Sequence, residues 1–150
     1  MATEHIRVYT DMCADLCHYG HYTFLSNTYK TAQSVYPGRT IHLVVGIHSD
    51  ETIATYKRIP IQTMEERMCM VQFHPNVMTV IPDAPLEVTD EYLASHHIDH
   101  LGIGGGKSEA VLDRMYGLLY VPKSYIPYTD TVSTTELIRR CVAHHQKYPM

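Results

Sequence analysis

No stretch of about 20 apolar residues occurs in the 150-residue chain, which argues against a bilayer-spanning helix. The opening residues, MATEHIRVYTD, carry neither the basic nor the apolar region of a signal peptide. A soluble, cytoplasmic protein is the expectation. A basic excess is lacking as well: 12 Lys and Arg stand against 16 Asp and Glu, a formal charge of −4. That balance excludes a broad basic surface for a nucleic-acid backbone or an anionic membrane, so any anion must be held locally. The 11 histidines restrict this statement to neutral pH. Cysteine is sparse. Cys13, Cys17, Cys69 and Cys141 are too few and too scattered for a disulfide framework, and reduced thiols are the simpler account. Zinc is the alternative for Cys13, Cys17, His18 and His21, but CxxxCHxxH is tighter than a finger spacing, and no metal ligand is assigned. Repeats, low-complexity tracts and linkers are also missing, so residues 1–150 are expected to form one domain.

What is present alternates. Ile6–Tyr9 reads as a strand, His18 to about Val35 as a helix stopped by Pro37-Gly38, and Thr40–Gly46 as a nearly continuous apolar strand. A polar connection through Lys57 leads to a helix from Thr63 to about Gln72, whose Thr63-Met-Glu-Glu66 start has the capping-box form. Further strands are expected at Val77–Ile81, His100–Ile103 and Leu118–Val121, with helices at Thr89–His96, Glu109–Tyr116 and Ser133 to about His145, and a frayed tail from Lys147. Alternating strands and helices predict an α/β fold, a Rossmann-like doubly wound parallel five-stranded sheet. Its ligand belongs outside the carboxyl ends of the strands, so loops that follow strands are the places to look.

The loop after the first strand ends in His18-Tyr-Gly-His21 and runs into a helix. Two imidazoles spaced in this way can face one side of a helix start, where free amides and the macrodipole favour phosphate, and Gly20 leaves room for the phosphate to approach. On spacing alone an ordinary surface pair is an equal alternative.

The run Asp15-Leu-Cys-His18-Tyr-Gly-His21 resembles the HxGH signature of a nucleotidyltransferase superfamily. Its surroundings resemble the cytidylyltransferases that act on phosphoethanolamine, phosphocholine or glycerol 3-phosphate. Val44-Val-Gly-Ile-His-Ser-Asp50, Lys57, Glu65-Glu-Arg67 and Ser133-Thr-Thr135 are similar to further segments of that family, in its order. The resemblance implies transfer of CMP from CTP to a phosphorylated alcohol, with His18, His21 and Lys57 as catalytic residues. It also implies a nucleotide site drawn from Thr10, Asp11, Met12, Cys13, Ala14, Asp15, Gly20, Arg67, Gly104, Gly105, Gly106, Thr129, Val132, Ser133 and Thr134. Mg2+ accompanying the triphosphate and a homodimer are implied in the same way. From the residues alone, Lys57 is also read as a solvated loop lysine, Arg67 as pairing with Glu65 or Glu66 on the helix surface, Ser133 and Thr134 as helix caps, and Asp15 as a loop brace.

The chain departs from the family pattern in places. Tyr128 and Thr131 stand where RTxGIST has arginine and glycine, Met12 and Ala14 where the first loop has glycine and an aromatic residue, and Gly104-Gly-Gly-Lys107 where paired aspartates follow the fourth strand. Gly104-Gly-Gly-Lys-Ser108 is not a Walker loop, because Leu101 occupies the position of the required first glycine. The expectation is a phosphoethanolamine or phosphocholine cytidylyltransferase. A glycerol-3-phosphate cytidylyltransferase is one alternative, and a nucleotide-binding homologue without transfer activity is another.

Overall fold

In the computed structural model, which describes residues 4–130 and 132–150, the chain alternates as expected. Strand β1 (His5–Met12) is followed by α1 (Tyr19–Val35), β2 (Thr40–Ile47), the short α2 (Asp50–Ala54), α3 (Met64–Gln72) and β3 (Val77–Ile81). Then come α4 (Asp90–Ser95), β4 (His100–Gly104), α5 (Glu109–Tyr116), β5 (Lys123–Ile126) and α6 (Thr134–Lys147). All pairings are parallel, and the strand order is β3-β2-β1-β4-β5.

Successive residues of a strand point to opposite faces, and here both faces are covered. Val8, Leu43 and Val45 join Leu25 and Ala32 of α1 and Val71 of α3 in one core. Their neighbours Tyr9 and Val44 join Leu93 of α4 and Leu112 of α5 in another. The sheet is therefore doubly wound, and its order reverses between β1 and β4, where the carboxyl ends of the two strands diverge into a crevice.

Local signals set most boundaries. The Thr63 hydroxyl accepts the Glu66 amide while the Glu66 carboxylate accepts the Thr63 amide, the reciprocal cap read from sequence. α1 ends with the Tyr36 amide on the Ala32 carbonyl just before Pro37, and Gly38 turns the chain at φ 78°. Three expectations are corrected. The last strand is Lys123–Ile126 and not Leu118–Val121: Leu118 and Tyr120 are more than nine-tenths exposed, and the ladder opens where the Pro122 carbonyl accepts the Leu101 amide. The polar connection after β2 contains α2, capped by Ser49 and followed by Asp50 and Glu51 in its first turn. α6 continues to Lys147, two residues beyond the expected end.

Candidate functional site

The loop from β1 to α1 is held open against its own preferences. Ala14 and Leu16 adopt left-handed backbone, φ 58° and 55°, at a cost of about 1 kcal/mol or more each. Contacts from distant segments offset that cost. The buried Asp15 carboxylate accepts the amides of Ile61 (2.9 Å) and Gln62 (3.0 Å), and the Gln62 side-chain oxygen accepts the Leu16 amide at 2.8 Å. The Thr134 hydroxyl donates to the Asp15 carbonyl at 3.1 Å. Arg67, fully buried, donates to the carbonyls of Cys13 (2.7 Å), His48 (2.9 Å) and Gln62 (3.3 Å) and to the Asp50 carboxylate (2.6 Å).

This loop delivers His18 as the cap of α1. Its Nδ1 accepts the Gly20 amide at 3.0 Å, and the His21 Nδ1 accepts the His18 amide at 3.1 Å, with the ring centroids 3.9 Å apart. An amide only donates, so both Nδ1 atoms carry lone pairs and each ring proton sits on Nε2. Burial lowers the His18 pKa. For His21, burial, then the charges of His18 and Lys57, lower it to about 4. At neutral pH the site thus presents two uncharged imidazoles, each with an Nε2–H donor. A Cβ at Gly20 would stand 2.9 Å from His18 Cε1 and 3.0 Å from the Val132 carbonyl oxygen, so the glycine lets the His18 ring and the approach to α6 close on the head of α1.

Both histidines line a cleft of about 380 Å³ at the carboxyl ends of β1 and β4, with Asp11, Met12, Gly104 and Gly105 contributed by the strand ends. Gly20 and Phe24 join from α1, Lys57 and Arg58 from the segment after α2, and Pro127, Tyr128, Thr129, Val132, Ser133, Thr134 and Thr135 from the approach to α6 and its first turn. A Cβ on Gly105 would stand 2.9 Å from the Tyr128 nitrogen, and the Gly105 amide donates to the Ile126 carbonyl at 2.8 Å; the glycine lets the two segments meet. Ser133 Oγ accepts the Glu136 amide at 3.1 Å, so Ser133 caps α6 while lining the cleft.

The structure brings His18, His21, Lys57, Asp11, Met12, Gly20, Gly104, Gly105, Thr129, Val132, Ser133 and Thr134 together, as the sequence reading expected. It does not bring the others to the cleft lining. Thr10 is buried within β1, and Gly106, in left-handed backbone at φ 104°, lies beside Tyr128 without lining the cleft itself. Cys13, Ala14 and Asp15 form the supporting side of the loop, and Arg67 is an internal tie, neither a nucleotide contact nor a surface partner of Glu65 and Glu66. Thr131 lies outside the described residues.

Phe24, Arg58, Pro127, Tyr128 and Thr135 line the cleft without having been singled out as site residues. Arg58 is adjacent to Lys57, and Phe24 lies one turn beyond Gly20, so neighbours of the motif residues were the available signal. His48, just past β2, is a further omission. Its Nδ1 donates to the Ala84 carbonyl at 3.0 Å and its Nε2 lies 3.6 Å from the Asp11 carboxylate. Burial pulls His48 down, but Asp11 and the Ala84 carbonyl outweigh it, so its pKa is raised.

Residues 9–140 match the family model described as Cytidylyltransferase-like. The chain is 36% identical over 152 residues to the ethanolamine-phosphate cytidylyltransferase of Mus musculus, covering 97% of this chain and 36% of that protein. It is 32% identical over 146 residues to choline-phosphate cytidylyltransferase A of Homo sapiens, covering 95% and 38%. The chain therefore spans little more than a third of the length of these curated relatives. Among solved structures, the lipopolysaccharide core biosynthesis protein of Thermoplasma volcanium GSS1 superposes with a TM-score of 0.61 at 22% identity, over 83% of this chain and 98% of that one, a likeness of fold alone. No helix among the described residues is long and apolar enough to cross a membrane.

Proposed function

The chain belongs to the cytidylyltransferase-like family, and on that premise we propose that it transfers CMP from CTP to a phosphorylated alcohol, phosphoethanolamine or phosphocholine, with release of pyrophosphate. The observation that carries this reading is the pair of neutral imidazoles at the head of α1, sharing one cleft with Lys57 at the carboxyl ends of β1 and β4.

A phosphate oxygen of the alcohol attacks the α-phosphorus of CTP. The new P–O bond forms as the bond to the pyrophosphate oxygen breaks, with no covalent enzyme intermediate and no proton transfer. Catalysis is then positioning and charge stabilisation. The Nε2–H groups of His18 and His21 donate to oxygens of the pentacoordinate phosphorus and of the leaving pyrophosphate, where charge grows as the bond breaks. The Lys57 ammonium neutralises the phosphates that meet there, and the amides at the start of α6 receive the distal phosphates. Magnesium carried by the triphosphate would supply further charge neutralisation at the phosphates. The hydroxyls of Thr129 and Ser133 in the cleft are hard oxygen donors of the kind it accepts.

Among the described residues, Asp11 is the one acidic side chain lining this cleft. Its carboxylate, 3.6 Å from His48 Nε2, also lines the anion site, where the ammonium of an amino alcohol would add a positive partner that glycerol 3-phosphate lacks, which supports the amino alcohol. Asp11→Asn is expected to raise KM for phosphoethanolamine at least fivefold while KM for CTP stays within twofold; equal rises in both would remove this assignment. Tyr128, uncharged where the resembling segment has arginine, favours a second reading, a nucleotide-binding homologue without transfer activity. Incubation with magnesium, labelled CTP and each of phosphoethanolamine, phosphocholine and glycerol 3-phosphate separates the two. CTP binding without product from any of them defeats the transferase.

A further inference from the structure

Among the described residues, two cations line the cleft, Lys57 and Arg58, and the proposed transfer uses one. Arg58 follows Lys57 in the segment after α2, and its Nη1 donates to Thr135 Oγ1 at 3.2 Å, which draws the guanidinium to the first turn of α6. The first amides of a helix have no intrahelical acceptor, so Arg58 is held where N–H donors already gather. It is also uncommitted in charge. Among the described residues the arginine ion pairs are Arg39–Glu4, Arg67–Asp50, Arg139–Glu136 and Arg140–Glu136, and none includes Arg58. A guanidinium carries five N–H donors in a fork that matches two phosphate oxygens, and the bond to Thr135 uses one. Tyr128, on the same cleft, brings no positive charge.

We propose that Arg58 is a specificity-determining residue that grips the β- and γ-phosphates of the nucleotide and so makes the site select a nucleoside triphosphate over the monophosphate. The inference rests on the proposed nucleotidyl transfer and extends it. The nucleotide lies with its α-phosphate at His18 and His21 and its distal phosphates at the junction of Arg58 with α6. Departing pyrophosphate stays neutralised by the same guanidinium as the Pα–O bond breaks.

Calorimetric titration with CTP and with CMP, each in the presence of magnesium, tests this on the wild-type chain, Arg58→Ala and Arg58→Gln. The glutamine variant keeps a polar N–H donor while removing the charge and the guanidinium fork, so it carries the test if the alanine variant is unstable. Both variants are expected to lose at least tenfold in CTP affinity with CMP affinity unchanged within twofold. Adding Tyr128→Arg, which places a cation elsewhere on the cleft wall, is expected to recover part of the loss. Wild-type affinity for CTP in both variants, or equal losses for CTP and CMP, overturns the role of Arg58 and leaves the transferase reading standing. A wild-type chain that binds no CTP overturns both.

Discussion

Because the Nδ1 atoms of His18 and His21 accept backbone amides at the head of α1, replacing either ring removes a helix cap together with a donor to the cleft. The two losses can be told apart. His18→Ala and His21→Ala are each expected to lower turnover at least tenfold, about 1.4 kcal/mol on the barrier. Losing the cap adds about 1 kcal/mol of instability. Asparagine is a good capping residue without a donor in the Nε2 position, so His18→Asn should keep the thermal midpoint of the wild type and still lose the tenfold in turnover. Steady-state rates and a melting curve on the three variants decide it, and a His18→Asn enzyme of normal rate would show that the ring matters for the helix alone.

The β1–α1 loop works as an element only because three other segments hold it. Arg67 is the central tie: three carbonyls and the Asp50 carboxylate depend on one guanidinium with no exposure to solvent. Arg67→Met fills much of the volume and leaves Asp50, 40% exposed, to water, but the Cys13, His48 and Gln62 carbonyls lose their donor, at about 1 to 3 kcal/mol for each acceptor left unsatisfied in the interior. Urea denaturation of Arg67→Met should show a loss of at least about 3 kcal/mol, and a loss below about 1 kcal/mol would mean that water or side-chain shifts replace the tie. This dependence also explains what could be read from sequence. α1, α3 and α5 were legible because their caps and stops are local, the Thr63–Glu66 box and Pro37-Gly38 among them. The paired histidines were legible because a short motif names them, and Lys57 because the family resemblance places it in order after the second strand. Arg67 was misplaced because its partners Cys13, His48 and Asp50 lie 17 to 54 positions away, where no spacing rule reaches, whereas Asp15 was legible as a loop brace but without the Ile61 and Gln62 amides it binds. β5 was misplaced for a related reason. Leu118-Leu-Tyr-Val121 has strand composition, but strand pairing with β4 decides the register, and it begins after Pro122.

At the scale of the molecule, the histidines give the fold a direction of pH dependence. Burial lowers His18, His21, His42, His74 and His100, in His21 to about 4, while His48 is raised. The geometry agrees for three of the lowered rings: the Nδ1 atoms of His18, His21 and His74 accept backbone amides, bonds that protonation would break. A lowered histidine binds its proton in the unfolded chain before the folded one, so its stabilising contribution is full above about pH 6.5 and is lost as the pH falls toward the folded value. His48 acts on the other side, since its contribution is full below pH 6.5 and fades as the pH rises through its raised pKa. Carboxylates titrate in the same acid range as the lowered rings, so a single melting curve does not isolate the histidines, but a pair does. For His21 the shift from 6.5 to about 4 corresponds to about 2 to 3 kcal/mol between pH 7.5 and 4.5. Urea denaturation of the wild type and of His21→Asn at both pH values should therefore show the wild type losing about 2 to 3 kcal/mol more than the variant on acidification. Equal losses would mean that the folded and unfolded chains bind the His21 proton alike, and the lowering of its pKa by burial would be refuted.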